Sequence, residues 1–262
     1  MGRIEFTGIQ NARDLGGLIG AEGKPVKERR LIRSGALFGA TSTDLESLQR
    51  IGVHTVVDFR TPVERNDAPD PVDGGFSLLQ LPLLDDSFFG IARDGYSVMS
   101  WLDLFADHSK DPDEVFCEMY RKLLFSERVR PLFRQFFELL LQDRPGAVLW
   151  HCSAGKDRAG IAALLVLTAL GVSRADAVSD YMLTGVYTAA EIRAVEAEAT
   201  ARTTDRHMLR AVAALMEVRE KYVGQLFDLA DRQYGGLLHY LYSAGILSPA
   251  ETQTLRSIYL ES

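Results

Sequence analysis

Cysteine is scarce in this 262-residue chain: Cys117 and Cys152 are the only two, in unrelated surroundings, which excludes a disulfide framework and a Cys-x-x-Cys metal pair. His54, His108, His207 and His239 share no ligand spacing, so neither a metal ion nor another cofactor is expected. Long apolar runs are missing as well. The longest, Ile161 to Leu170, is interrupted at Thr168 and falls far short of the roughly 18 residues that a membrane span needs. Lys and Arg number 29 against 36 acidic residues, with no basic run, and a net charge of -7 excludes a nucleic-acid footprint. Any bound anion must therefore be held by a local field. The opening residues, Met1 to Glu5, carry no basic-then-apolar leader, which makes the cytoplasm the default compartment and secretion the alternative.

What remains is an ordinary globular composition, 47% hydrophobic and 25% charged with 22 Gly and 9 Pro. A chain of this length can bury roughly three quarters of its unfolded surface. With no repeat, linker or low-complexity stretch, residues 1–262 are expected to form a single domain.

The first half alternates short β-branched runs with capped helical stretches, the pattern of an α/β fold with a mostly parallel central sheet. Strands are expected at Arg30 to Arg33, Thr55 to Phe59, Phe76 to Leu81 and Ala147 to Trp150. Ser42 or Thr43 can cap a helix through Arg50, and Thr61-Pro62-Val63-Glu64 sets a cap, an N1 proline and an acidic N3 in order. Asp111-Pro112-Asp113-Glu114 repeats that signature ahead of helices over Pro112 to Leu124 and Val129 to Leu141. From Gly160 onward nearly everything reads helical, with Ser173 and Ser248 as caps. Weak helix formers around Ala201 to Asp205 interrupt residues 188–234, which reads as a packing hairpin or a helical lid over a cleft.

The chemistry concentrates in His151-Cys152-Ser153-Ala154-Gly155-Lys156-Asp157-Arg158-Ala159-Gly160, between a strand and an apolar helix. A strand, a tight loop and a helix N-terminus converge backbone N–H groups and dipole on one anion. Ser153, Ala154, Gly155, Lys156, Asp157 and Arg158 are thus the expected phosphate-binding residues. A Walker A loop is excluded, since Trp150 stands where its first glycine belongs and Asp157 follows Lys156. A thiol at a helix N-terminus beside cations titrates below its ordinary value of about 8.5, and Cys152 stands in that place. Arg158 can return a planar guanidinium to the opposite side of the anion, matching the charge spread over a transferring phosphoryl group. Lys156 adds potential for a multiply phosphorylated headgroup, or is a solvated loop lysine. His151, before the cysteine, reads as an orienter of the loop.

These residues resemble the Cys-x5-Arg phosphatases, and more narrowly the bacterial tyrosine phosphatase family with a His-Cys-x-x-Gly-Lys-Asp-Arg-x-Gly loop, whose mycobacterial members act on phosphoproteins and phosphoinositides. Asn11-Ala12-Arg13-Asp14-Leu15-Gly16-Gly17, Leu31-Ile32-Arg33-Ser34-Gly35, Val57 to Glu64, Asp180-Tyr181 and Tyr234 to Leu241 extend the resemblance over most of the chain. It implies a protein-tyrosine-phosphatase-like fold with an all-helical C-terminal half. It also implies hydrolysis of phosphomonoesters through a cysteinyl-phosphate intermediate with Cys152 as nucleophile. The substrate class implied is phosphotyrosine, with phosphoserine, phosphothreonine and phosphoinositides beside it. By the same resemblance Leu81-Pro82-Leu83-Leu84-Asp85 occupies the place of the acid-bearing loop, so Asp85 is the first choice for general acid, Asp157 the second and Asp86 the spare. Many relatives carry Ser or Thr after the arginine, where its hydroxyl supports the departing sulfur; Ala159 stands here, which predicts a slow second step.

Structural roles compete with functional ones at several positions. Cys117 reads as core, and Arg13, Asp14, Arg33, Asp58 and Arg60 can make buried ion pairs as readily as a site. Phe88, Phe89, Tyr96 and Trp101 read as core packing or as an aromatic wall for a phenyl phosphate. Two other functions stay open at this stage: a sulfurtransferase, whose persulfide chemistry has no need of Arg158, and a non-catalytic phosphate-binding module, which Ala159 would suit.

Overall fold

The computed structural model describes residues 2–71, 75–84 and 110–262. Within them six strands make one sheet: β1 (Gly2–Arg3), β2 (Arg13–Asp14), β3 (Leu31–Ser34), β4 (Val53–Asp58), β5 (Ser77–Gln80) and β6 (Ala147–His151), ordered β1-β2-β3-β6-β4-β5. The four strands from β3 to β5 run parallel, and β1 and β2 add an antiparallel edge. β6 lies at the centre, with Arg33 beside Trp150 on one side and Asp58 beside His151 on the other. The loop after β6 therefore emerges at the carboxyl ends of the parallel strands, where open α/β sheets hold their ligands.

The inner strands β3, β4 and β6 are buried on both faces, as parallel strands inside a sheet require, which is why β6 reads as a continuous apolar run, whereas the edge strand β5 is largely exposed. Ile32, Val56 and Leu149 point to one face, against Leu48 of α1 (Ser42–Ile51). Val57, Val148 and Trp150 point to the other, where most of the core lies. There Phe136 of α4 (Arg130–Leu140) meets Trp150 and Phe59 edge-on, with ring centroids 5.5 and 5.4 Å away. Eleven α-helices are found among the described residues.

The helix starts follow their caps. Thr61 and Glu64 close a reciprocal capping box on α2 (Pro62–Asp67), and Asp111 caps α3 (Pro112–Phe125). The cap of α1 is Thr41, one or two residues before the expected Ser42 or Thr43, because Asp44 at N3 bonds back to the Thr41 amide at 2.9 Å. α5 (Asp157–Leu170) is buried nearly all round, α6 (Arg174–Tyr187) is capped by Ser173, and α11 (Pro249–Tyr259) is capped by Ser248. Residues 188–234 divide into α7 (Ala189–Arg202), α8 (Arg206–Met216) and α9 (Glu220–Tyr234), with Asp205 capping α8 after the break. α10 (Leu237–Ser243), not expected as a separate helix, begins after Gly235 and Gly236, both at positive φ. Among the described residues no helix is long and apolar enough to cross a membrane.

Candidate active site

The anion loop is held open from behind. Gly155 turns through φ +68°, and a Cβ there would stand 2.3 Å from the Ser34 carbonyl oxygen, so this close approach to β3 requires glycine. Arg33 donates to the Gly155 and Lys156 carbonyls at 2.7 and 3.2 Å, Asn11 to Ala154 at 3.0 Å, and the Ala36 amide to Ser153 at 2.9 Å. In a trans peptide the next N–H points away from its carbonyl. Four successive carbonyls engaged on one side thus turn the amides of residues 154–157 to the other, where α5 begins.

The girders behind the loop are themselves charged. Asp180 on α6 receives Arg13 at 2.8 Å and Arg33 at 2.7 Å, all three buried. Burial opposes ionisation of Asp180, but Arg33 and Arg13 outweigh it and hold its carboxyl below the ordinary range. Burial and the neighbouring Arg33 push Arg13 down to about 10, with Asp180 opposing the shift. The structural reading of Arg13 and Arg33 is thus the right one, and its object is the loop. Asp14 likewise braces backbone, accepting from the Gly16 and Arg29 amides.

Cys152, only 2% exposed, lies in the lining of a cleft of about 400 Å³ together with Ser153, Ala154, Lys156, Asp157 and Arg158. The structure thus brings together every described residue expected at the site; Gly155 shapes the loop from behind. Arg158 is aimed by a residue that the sequence did not single out for this purpose. Glu64 accepts from Nη1 and Nη2 at 2.6 and 2.7 Å in a bidentate pair. The same carboxylate completes the capping box at the Thr61 amide and accepts the Ser153 hydroxyl. Burial raises the Glu64 pKa, but Arg158, Ser153 and Thr61 bring it down to about 2. From sequence Glu64 was visible as the N3 acid of a cap and as the last residue of a segment carrying the resemblance; its task at Arg158 depends on a pairing across the fold.

His151 is fully buried, with Nδ1 3.1 Å from the Cys152 carbonyl oxygen and Nε2 3.1 Å from Asp70. Asp58, Asp70 and His151 bring potential ligand atoms within 4.8 Å of one another. Arg60 already spans both carboxylates, at 2.9 Å to Asp58 and 2.6 Å to Asp70, so the negative charge there is matched by a guanidinium and a cation would have to displace it.

Lys156 corrects the solvated alternative: it is 5% exposed, and its ammonium donates to the Leu215 carbonyl and, at 3.3 Å, to that of Glu217, at the end of α8. It also lies 3.5 Å from Asp157 Oδ1, which accepts the Tyr120 hydroxyl. Asp85, Asp86, Phe88, Phe89, Tyr96, Trp101 and His108 fall outside the described residues. The chain leading to Asp85 is held by Arg128, which donates to the Pro82, Leu83 and Leu84 carbonyls, and Leu84 lines the cleft. The described aromatic side chains at the cleft are Phe116, deep, and Phe38, exposed at the rim.

A buried cysteine at the start of this loop, lining one cleft with a bidentately anchored arginine, is suited to binding a phosphoryl group and attacking it. Comparison with known proteins agrees. The family model described as tyrosine phosphatase family matches residues 4–261. A protein of Cupriavidus necator provisionally named a tyrosine-protein phosphatase is 35% identical over 98% of this chain and 88% of its own length. A tyrosine-protein phosphatase of Nostoc commune is 30% identical over 86% of this chain and 72% of its own. The triple specificity protein phosphatase PtpB of Mycobacterium tuberculosis is 27% identical over 98% of both chains. With the match running almost end to end and the loop, its arginine and its braces in place, the chain belongs to the tyrosine phosphatase family.

Proposed function

We propose that this phosphatase hydrolyses phosphomonoesters through a cysteinyl-phosphate intermediate. Cys152 sulfur attacks phosphorus as the P–O bond to the leaving group breaks. The amides of the loop and the Arg158 guanidinium take up the charge on the three equatorial oxygens. A carboxyl group delivers the proton to the leaving oxygen, water then attacks phosphorus, and the thiolate departs. The observation that carries this reading is the bidentate Glu64–Arg158 pair beside Cys152, which presets the guanidinium for a planar two-oxygen grip.

Asp157 is the proton donor that the described residues favour, since it lines the cleft with Cys152 and Arg158. Asp85 is the second candidate, supported by Leu84 reaching the cleft one residue earlier. The Ser153 proton is committed to Glu64, which leaves it poorly disposed to stand in for the hydroxyl missing at Ala159. α7 and α8 act as a cover, contributing Glu191, Val195, Val212 and Leu215 to the cleft wall.

The substrates proposed are phosphotyrosine, in keeping with the names of the Cupriavidus necator and Nostoc commune relatives, with phosphoserine, phosphothreonine and phosphoinositides beside it. An apolar wall of Phe116, Met119 and Leu215 with Phe38 at the rim suits a phenyl leaving group. Family membership sets the sulfurtransferase alternative aside. The decisive experiment measures phosphate release from a phosphotyrosine peptide, a phosphoserine peptide and phosphoinositide vesicles, with Cys152→Ser as control. Turnover that is fastest on phosphotyrosine and lost in Cys152→Ser is expected. Turnover surviving in Cys152→Ser would overturn the nucleophile, and binding without turnover in the native chain would identify a phosphate-binding module.

A further inference from the structure

We infer that Tyr120 is a positioning residue for proton transfer, holding the Asp157 carboxyl group through a one-way chain of hydrogen bonds that begins at the Tyr181 hydroxyl. The inference rests on Asp157 being the general acid, as proposed above.

Tyr120, on α3, is fully buried and donates its hydroxyl hydrogen to Asp157 Oδ1. Its oxygen lies 2.7 Å from the hydroxyl of Tyr181 on α6. Each phenol has one proton. With the Tyr120 proton given to Asp157, the other direction follows: Tyr181 O–H to Tyr120, Tyr120 O–H to Asp157. Burial first, and the nearby Asp157 second, push both phenols above their ordinary value, so both stay protonated as donors. The Tyr120 ring is fixed as well, edge-on to Tyr181 at 6.3 Å and against Tyr222 at 5.4 Å.

Two phenols in a core are more than packing demands, since phenylalanine would fill nearly the same space without a polar atom to satisfy. What the hydroxyls add is a fixed donor at one oxygen of the acid. In this step Asp157 gives a proton to the leaving oxygen as the P–O bond breaks. The carboxylate so formed is met at Oδ1 by a hydrogen bond that strengthens as charge develops, with Lys156 3.5 Å away. When water attacks the cysteinyl phosphate, the carboxylate recovers a proton from that water, and the chain returns to its starting state.

Asp157 matters most for leaving groups that need a proton, so Tyr120 should act only on those and only through Asp157. The test is a double-mutant cycle of Tyr120→Phe and Asp157→Asn, read as kcat on phenyl phosphate and on p-nitrophenyl phosphate. Inhibition by inorganic phosphate serves as the check that the loop is formed. Expected is a loss of about tenfold for Tyr120→Phe on phenyl phosphate, the size of a hydrogen bond to a charged group. The loss should be much smaller on p-nitrophenyl phosphate and absent when Asp157 is already Asn. Tyr181→Phe, one bond further back, should shift rates the same way by less. Equal losses on both substrates, or an undiminished loss in the Asp157→Asn background, would show a merely structural tyrosine and overturn the inference alone. Asp157→Asn affecting both substrates equally would instead overturn Asp157 as the acid, and the role of Tyr120 with it.

Discussion

At the scale of single residues, the site's charge is arranged around Glu64. The loop residues from Cys152 to Arg158 were legible in the sequence because their chemistry depends on local spacing. Glu64 and Tyr120 were not legible as site residues, because each acts on a side chain distant in sequence, and a capping acid or a core tyrosine looks the same with or without such a partner. Removing one member of a buried ion pair leaves the other uncompensated, at a cost of roughly 3–5 kcal/mol. Glu64→Gln keeps the shape and removes the charge, so a destabilisation of at least about 1 kcal/mol at neutral pH is expected, with a fall in kcat/KM as Arg158 loses its fixed orientation. The pH dependence has a definite sign. Glu64 ionises at about 2 in the folded chain against an ordinary 4.5, so its stabilisation is complete above pH 4.5 and is withdrawn as pH falls toward 2. Urea unfolding across that window should show a shallower decline in Glu64→Gln than in the native chain. Parallel declines would mean that Glu64 is not the group being titrated.

At the scale of elements, the strand, loop and helix built from β6 and α5 followed the sequence closely. A continuous apolar strand, two glycines and a long apolar helix leave few alternatives. The edge strands β1 and β2 are two residues long and carry no alternation to read. α10 was hidden because Gly235 and Gly236, which look like a stop, are the turn between two helices. The two loop glycines do different work, and substitution should separate them. Alanine at Gly155 meets a positive φ that costs roughly 1–2 kcal/mol. Its Cβ also collides with the backbone of β3, which cannot move without shifting the sheet. Gly160→Ala keeps an ordinary helical φ and meets side chains rather than backbone, Arg33 and Tyr181 at 3.1 Å, a contact that a shift of a few tenths of an ångström would relieve. Gly155→Ala is therefore expected to lose about a hundredfold or more in kcat/KM, comparable to removing an oxyanion donor. Gly160→Ala should lose much less. Comparable activity in the two variants would contradict the tight contact between loop and β3.

At the scale of the whole molecule, the helices near the cleft are anchored unequally. α5 is buried along almost its full length, and α9 enters the main core through Tyr222, Val223 and Leu226. α8 contributes Ala211 and Ala214 to that core, with Leu215 partly buried against it. α7 has one buried residue, Ala199, which packs with Val212 in a small cluster of its own. So little buried apolar surface gives α7 a low free energy of local opening, since stability at each element scales with what opening exposes. Yet Glu191 and Val195 of this helix line the cleft, so a molecule filling the cleft would cover them and oppose opening. Hydrogen exchange followed by mass spectrometry should find the α7 amides exchanging far faster than those of α5. A non-hydrolysable aryl phosphonate, long enough to reach from the loop to Val195, should slow α7 selectively. Inorganic phosphate, which occupies the loop alone, should leave α7 unchanged. Equal exchange of α7 and α5 in the free protein would place α7 within the cooperative core, making residues 188–234 a packing element rather than a cover.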